Sequence, residues 1–317
     1  MRVAVMGAGG VGGYFGGLLA RAGQDVTFIA RGAHLDAIRR GGLRVSSDLS
    51  GEFVAESSAT DTPSAVGPVD LVLYAVKMYH NAEAIPAVAP LVGADTVVLT
   101  LQNGVTNGDE LSAVLGREHV MVGAAFVQAR IGEPGHVEQL GQIGRVVFGE
   151  MHQGVTARGR RLLEAFAAAG WNVELSENAL DPLWRKFIYL TGSAGVNAVT
   201  QVPFGEMRSV PETRELLRGA YREIVEVAKA QGAPIGDEVV DWCMASLDDF
   251  PADGMTSLAN DFRNANPVEL EGLTGTVVRM ARDSGVAAPV TNAIYALLRP
   301  AALRIEAARS HAPGAGS

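Results

Sequence analysis

The chain has 317 residues, with 26 Lys and Arg against 35 Asp and Glu, a formal net charge of −9 and 48% hydrophobic residues. That length points to two domains, and the acidic balance with no Lys/Arg cluster excludes a nucleic-acid partner. A single cysteine, Cys243, excludes a disulfide framework and reads as a buried small hydrophobe in a reducing compartment. The N-terminus carries no basic and apolar leader, and no apolar run reaches the roughly 18 residues of a membrane span, so a cytoplasmic protein is expected.

The first unit is the most legible. A short apolar run, Val3 to Met6, ends in Gly7-Ala8-Gly9-Gly10-Val11-Gly12; a helix-compatible stretch follows to Ala22, then a second apolar strand, Val26 to Ile29. Strand, glycine turn, helix and strand together give G-x-G-x-x-G its mechanical meaning. Gly7 allows the tight turn. Gly9 lets a pyrophosphate approach the backbone, and Gly12 lets the helix pack on the sheet. The helix N-terminus offers free N–H groups to the phosphates. Gly13, Gly16 and Gly17 are expected to serve helix–sheet packing. A dinucleotide site is the expectation, with Gly7, Gly9, Gly10, Val11 and Gly12 contacting the cofactor. An NAD site would place an acidic residue about 20 residues on, for the ribose 2′-OH. This chain has Ala30-Arg31 instead, and an arginine fork suits a 2′-phosphate, so NADPH/NADP⁺ is expected.

Further strands are expected at Val69–Val76, Thr96–Leu101 and His119–Val127, alternating with helical or loop stretches as in βαβ units around a mainly parallel sheet. His136–Gln139 and Arg145–Gly149, separated by a glycine-containing turn, read as an edge hairpin. Thr156–Ala169 is an amphipathic helix and Trp171–Leu175 a last strand. After about Asn178 the strand signal vanishes, and helical periodicity runs through Pro182–Val199, Glu212–Gln231, Asp237–Leu247, Ser257–Ala265, Glu269–Ser284 and Val290–Arg309. The fold class expected is an α/β Rossmann-type dinucleotide-binding domain at 1–178, an all-helical substrate and catalytic domain at 179–309, and a disordered tail at 310–317. The acidic stretch Asp248 to Gly254 lacks EF-hand spacing, and no metal site is expected.

Three stretches carry candidate chemistry. Lys77 and Asn103 follow predicted strands, where ligands of open α/β sheets bind, although Asn103-Gly104 is also a plain turn signal and Lys77 also reads as a solvated loop residue. Lys186 sits on an otherwise apolar and small helix, where it either snorkels to solvent or is paired and working. Ser257 and Glu269 read equally as a helix cap and a favourable helix N-terminal charge.

Taken together, the glycine turn, Val76-Lys77, Gln102-Asn103-Gly104, Trp184-Arg185-Lys186-Phe187 and the Ser257…Asp261…Glu269 block resemble the ketopantoate reductases (2-dehydropantoate 2-reductases) from Met1 to about Arg309. The resemblance implies NADPH-dependent reduction of a 2-keto acid, 2-dehydropantoate to pantoate in pantothenate and coenzyme A biosynthesis, in a cleft between two domains. It implies Lys186 as catalytic general acid, Glu269 as the active-site glutamate, Lys77 and Asn103 around nicotinamide and substrate, Ser257 on the substrate and Arg31 on the 2′-phosphate. A positioned ammonium would stabilise the oxyanion formed by hydride addition and deliver its proton. Leu190 and Ala194 depart from the pattern, standing where well-studied members carry asparagines that bind the substrate's polar groups. Asn197 lies too far along the helix, about 16 Å from Lys186, to replace them. The alternatives are therefore a family reductase acting on a different, less polar keto substrate, or a non-catalytic NADPH-binding sensor. The expected partner is a small keto acid, with neither nucleic acid nor membrane. A homodimer is one way to satisfy the apolar helices, and packing within the monomer is the other.

Overall fold

The computed structural model describes residues 1–310, so the expected tail lies outside the described residues apart from Ser310, the last helical position. The chain divides into two compact units, Met1–Leu183 and the part from Trp184 on.

The first unit is built on a ten-stranded sheet. Its elements are β1 (Arg2–Met6), α1 (Gly10–Arg21), β2 (Asp25–Ile29), α2 (Gly32–Gly41), β3 (Leu43–Ser47), β4 (Gly51–Ala55), β5 (Ser58–Thr60), β6 (Leu71–Tyr74), α3 (Asn81–Val88), β7 (Val97–Thr100), α4 (Asn107–Leu115), β8 (Val120–Ile131), β9 (His136–Glu150), α5 (Ala157–Ala168) and β10 (Asn172–Leu175). The strands run in the order β4-β3-β9-β8-β7-β6-β1-β2-β5, with β10 added beside β9. From β5 to β8 all neighbours are parallel. Both faces are covered, so these strands read as unbroken apolar runs. Val3 and Val5 enter one core with Phe15, Leu19 and Phe28, while Ala4 and Met6 enter the other with Val72, Tyr74 and Val98. The chain leaves β1 for β2 on one side and returns to β6 on the other. The glycine turn after β1 thus sits at the point where strand order reverses, which is where ligands of such sheets bind.

The expected edge hairpin is corrected. His136–Gln139 and Arg145–Gly149 belong to one long strand, β9, antiparallel to β8. Pairing slips between Val127 and Gln128, so that Gln128 faces Leu140 while Val127 faces Gly144. The glycine-containing segment is therefore a bulge within β9 and not a turn between two strands. The far side of β9 is shared, its first half pairing with β3 and its second with β10. The β3–β4 hairpin, Leu43 to Ala55, is a further pair that helix and strand alternation did not bring out.

In the second unit the helices are α6 (Leu180–Thr200, which begins in the first unit), α7 (Phe204–Ser209), α8 (Pro211–Ala230), α9 (Glu238–Asp248), α10 (Ser257–Arg263), α11 (Thr274–Ser284) and α12 (Pro289–Ser310). Helix α8 is central. Leu217, Ala220, Tyr221, Ile224, Val225 and Ala228 repeat at three- and four-residue spacing and are buried against α7, α9, α11 and α12. Glycines bring α6 close to its neighbours: a Cβ at Gly192 would lie 2.4 Å from the Tyr221 ring, and one at Gly195 would lie 2.9 Å from Ile294. Helix α11 starts at Thr274, not at Glu269 as expected; Glu269 and Leu270 lie in the turn that leads into it.

Candidate active site

The expected cofactor residues gather at the carboxyl edge of the parallel strands. Gly7 has φ +98°, and a Cβ there would meet Val76 N at 2.8 Å, so both conformation and space demand glycine. At Gly12 a Cβ would lie 2.1 Å from the Gly7 carbonyl oxygen and 3.1 Å from Val5 and Ala75, which is the close helix–sheet contact expected of the third glycine. Gly9 differs, since a Cβ there would meet nothing within 4 Å. The sequence places a glycine at an open position at the head of α1, where bare backbone faces free space. Bare backbone beside a helix N-terminus is the kind of surface that a pyrophosphate takes. Gly10 and Val11 are the first residues of α1. Gly10 has a packing reason of its own, because a Cβ would come 2.2 Å from the Ala129 carbonyl of β8. Gly13 and Gly16 lie similarly close to Val137 and Val5.

Arg31 stands one residue past the end of β2, after Ala30, and precedes α2 as its cap residue. It is exposed and pairs loosely with Glu83 at 3.4 Å. Lys77 is exposed in the segment after β6, and Asn103 is half-buried after β7. The two segments touch, for a Cβ at Gly104, itself at φ +97°, would lie 2.7 Å from the Met78 methyl.

Beneath them lies a buried polar network that sequence reasoning missed. Gln102 Nε2 donates to the Val76 carbonyl at 2.9 Å and to Asn81 Oδ1 at 2.8 Å. Asn81 Nδ2 donates to Asn107 Oδ1 and Glu110 Oε2, and Asn107 Nδ2 donates to the Asn103 carbonyl at 2.7 Å. Tyr74 donates to Asn81 Oδ1, and its hydroxyl pKa is pushed up by burial and by the Glu110 charge. The two strand-end segments that carry Lys77 and Asn103 are thus tied into one polar unit. Of the side chains in this network only Gln102 belongs to a motif legible in the sequence; Asn81 and Asn107 give no signal of their own.

In the second unit Lys186 and Glu269 interact. Burial pushes the Lys186 ammonium from 10.5 down to about 8, while the Glu269 carboxylate pulls it back up. Glu269 is 6% exposed. It reaches this position from the turn before α11, so it is not a helix N-terminal charge. Nor is Ser257 the helix cap: Thr256 Oγ1 accepts from Ala259 N at 3.2 Å, which leaves Ser257 exposed at the first helical position. Asn197 is wholly buried, and its Oδ1 accepts from Thr256 N and Oγ1 at 2.8 and 3.0 Å. Its amide donates to the Val202 carbonyl. Asn197 is a structural clamp that sets the head of α10. Leu190 is partly exposed, one turn beyond Lys186, and Ala194 is buried. Cys243 is fully buried, with its thiol pKa pushed up by burial, as a small hydrophobe would be.

Two family models match the chain, "Ketopantoate reductase PanE/ApbA" over residues 3–153 and its C-terminal counterpart over 178–302. A 2-dehydropantoate 2-reductase of Halobacterium salinarum is 31% identical over 94% of this chain and 98% of its own length. The "Uncharacterized oxidoreductase YkpB" of Bacillus subtilis is 28% identical over 94% and 98%. A crystal structure of a PanE/ApbA family ketopantoate reductase from Ralstonia eutropha superposes with a TM-score of 0.89 at 35% identity, covering 96% of this chain and all of that one. With both of its parts matched in order and along nearly its whole length, the chain belongs to the ketopantoate reductase family of oxidoreductases.

Proposed function

We propose that the protein reduces a 2-keto acid with NADPH in the cytoplasm, with 2-dehydropantoate as the leading substrate and pantoate as its product. The observation that carries this reading is Lys186 on an apolar helix set against the charge of the buried Glu269, and a pKa lowered to about 8 by burial is in keeping with it. Bound NADPH would supply the hydride to the keto carbon. Gly9 and the head of α1 offer backbone N–H groups and open space to its pyrophosphate, and Arg31 offers a bidentate fork to its 2′-phosphate. Lys77 and Asn103 lie along the same strand edge, available to nicotinamide and substrate.

Lys186 stabilises the negative charge that grows on the former carbonyl oxygen and then gives it a proton. A pKa near working pH suits a group that must both hold and release that proton. Glu269 keeps the ammonium charged and oriented, and accepts a hydrogen bond from the product hydroxyl. Ser257, freed from capping by Thr256, offers its hydroxyl to the substrate.

A second reading, a less polar 2-keto acid, is supported by Leu190, whose partly exposed apolar side chain follows Lys186 by one turn. A panel of 2-keto acids assayed by NADPH oxidation separates the two. Preference for 2-dehydropantoate supports the first, and preference for a keto acid with an apolar side chain supports the second. Binding of NADPH with no turnover on any member of the panel refutes both.

A further inference from the structure

The glycine turn has an anchor outside its own motif. The Gly7 and Ala8 N–H groups donate to the Ile29 carbonyl at 3.3 and 3.4 Å, and the Gly9 carbonyl accepts from Gly13 N at 2.6 Å. The Ala8 carbonyl is held by a side chain: His34 Nε2, half-buried on α2, lies 2.8 Å from it. The other ring nitrogen, Nδ1, is 3.0 Å from the Gly135 N–H in the turn between β8 and β9. A backbone N–H can only donate, so Nδ1 accepts. Nε2 therefore carries the proton and donates to Ala8. The tautomer is fixed by the two backbone groups it joins. Burial lowers the ring's pKa, in keeping with a neutral bridge, since a second proton would set two donors face to face at Gly135.

We propose that His34 is a positioning residue that sets the peptide plane of the pyrophosphate-binding turn. In a trans peptide the C=O and N–H point in opposite directions. Fixing the Ala8 carbonyl on His34 therefore fixes where the Gly9 N–H points, away from His34. The need for such a device is local. The Ala8–Gly9 peptide plane turns on ψ of Ala8 and φ of Gly9, and Gly9 rotates cheaply and has open space around it. A flip of that plane would turn a carbonyl oxygen toward the phosphates in place of an N–H. His34 also joins the turn to Gly135, so the β8–β9 connection becomes the far wall of the same support. The inference rests on the reading that this turn receives a dinucleotide.

The test compares His34→Phe, which removes both hydrogen bonds, with His34→Gln, whose amide can donate to Ala8 and accept from Gly135. Two probes are titrated by calorimetry: NADPH, and adenosine 2′-monophosphate, which has the 2′-phosphate but no pyrophosphate. His34→Phe should weaken NADPH roughly three- to tenfold, the worth of one neutral hydrogen bond. His34→Gln should recover most of that loss, and adenosine 2′-monophosphate should bind all three proteins alike. His34→Ala serves in place of the Phe variant if the larger ring prevents folding. The proposal is overturned if the variants bind NADPH as the unaltered protein does. It is equally overturned if both probes weaken together, because that marks a general loosening of α2, which follows Arg31. Failure of the unaltered protein to bind NADPH would instead sink the dinucleotide reading itself.

Discussion

Raising the pH through about 8 removes the proton from Lys186, and keto-acid reduction should fall with it. The drop from 10.5 to about 8 corresponds to about 3 kcal/mol of disfavour for the ammonium inside the fold, at about 1.36 kcal/mol per pKa step. The profile of kcat/KM against pH reports groups of the free enzyme. For reduction it should be level below about 7, half-maximal near 8, and fall about tenfold per pH step above that. Glu269→Gln removes the charge that raises the Lys186 pKa, so its midpoint should move to lower pH. Lys186→Met should lose on the order of 10² to 10⁴ in kcat while still binding NADPH.

The same group predicts a stability effect of opposite sense. The native pKa lies below the unfolded one, so between about 8 and 10.5 the unfolded chain binds the extra proton and stability rises with pH. The ionisation cost is fully present below about 8 and is relieved by about 10.5. Lys186→Met should lose that pH dependence, so between about pH 8 and 10.5 the unaltered protein gains melting temperature and the variant does not, while near neutral pH the loss of the ammonium beside the buried Glu269 offsets the ionisation cost that the variant removes. A kcat/KM profile that stays level to pH 10, or a midpoint unmoved by Glu269→Gln, would refute the assignment.

Four other substitutions test the cofactor edge and its scaffold. Gly9→Ala places its methyl in open space, so the melting temperature should hold while NADPH affinity falls on the order of tenfold; Gly12→Ala drives a Cβ to 2.1 Å from a carbonyl oxygen and should cost at least about 1–3 kcal/mol, read by denaturant unfolding. Arg31→Ala should lower the ratio of NADPH to NADH affinity by roughly 10- to 100-fold, with stability unmoved because the side chain and its Glu83 partner are both exposed. Arg158→Met strands the Glu150 carboxylate, 2% exposed, whose pKa burial would raise but hydrogen bonds from Arg158 and Thr156 hold below the ordinary value. The expected loss is roughly 3–5 kcal/mol at neutral pH. That stabilisation is present above the unfolded carboxyl pKa and lost as pH falls through the lowered native one, so the variant's melting curve should lose that acid-side dependence.

The first thirty residues were legible because their constraints are local. A buried parallel strand must be a continuous apolar run, a turn at positive φ must be glycine, and a helix that approaches a strand within van der Waals contact cannot carry side chains there. Gly7, Gly12 and Gly16 meet those demands within a few residues of chain, and the amphipathic repeat of α8 states its buried face just as directly. Arg31 could be placed at a strand end for the same reason. Where partners are distant in sequence, the pattern fell silent. The two halves of β9 looked like a hairpin because a bulge and a hairpin turn share glycine; only the pairing with β8, β3 and β10 tells them apart. Glu269 looked like a helix start because Pro267 precedes it, yet α11 begins at Thr274. Thr256 and Ser257 are equally good caps on paper, and Asn197, 59 residues before Thr256, helps to set the head of that helix. The Asn81–Gln102–Asn107 network and the His34 bridge to Gly135, 101 residues away, have no sequence signature at all, since a hydrogen bond between remote segments leaves no periodicity. Spacing determined that a glycine turn of the dinucleotide-binding pattern opens this chain; the tertiary structure alone decided what holds that turn in shape, because its supports come from elements that meet only when the sheet is assembled.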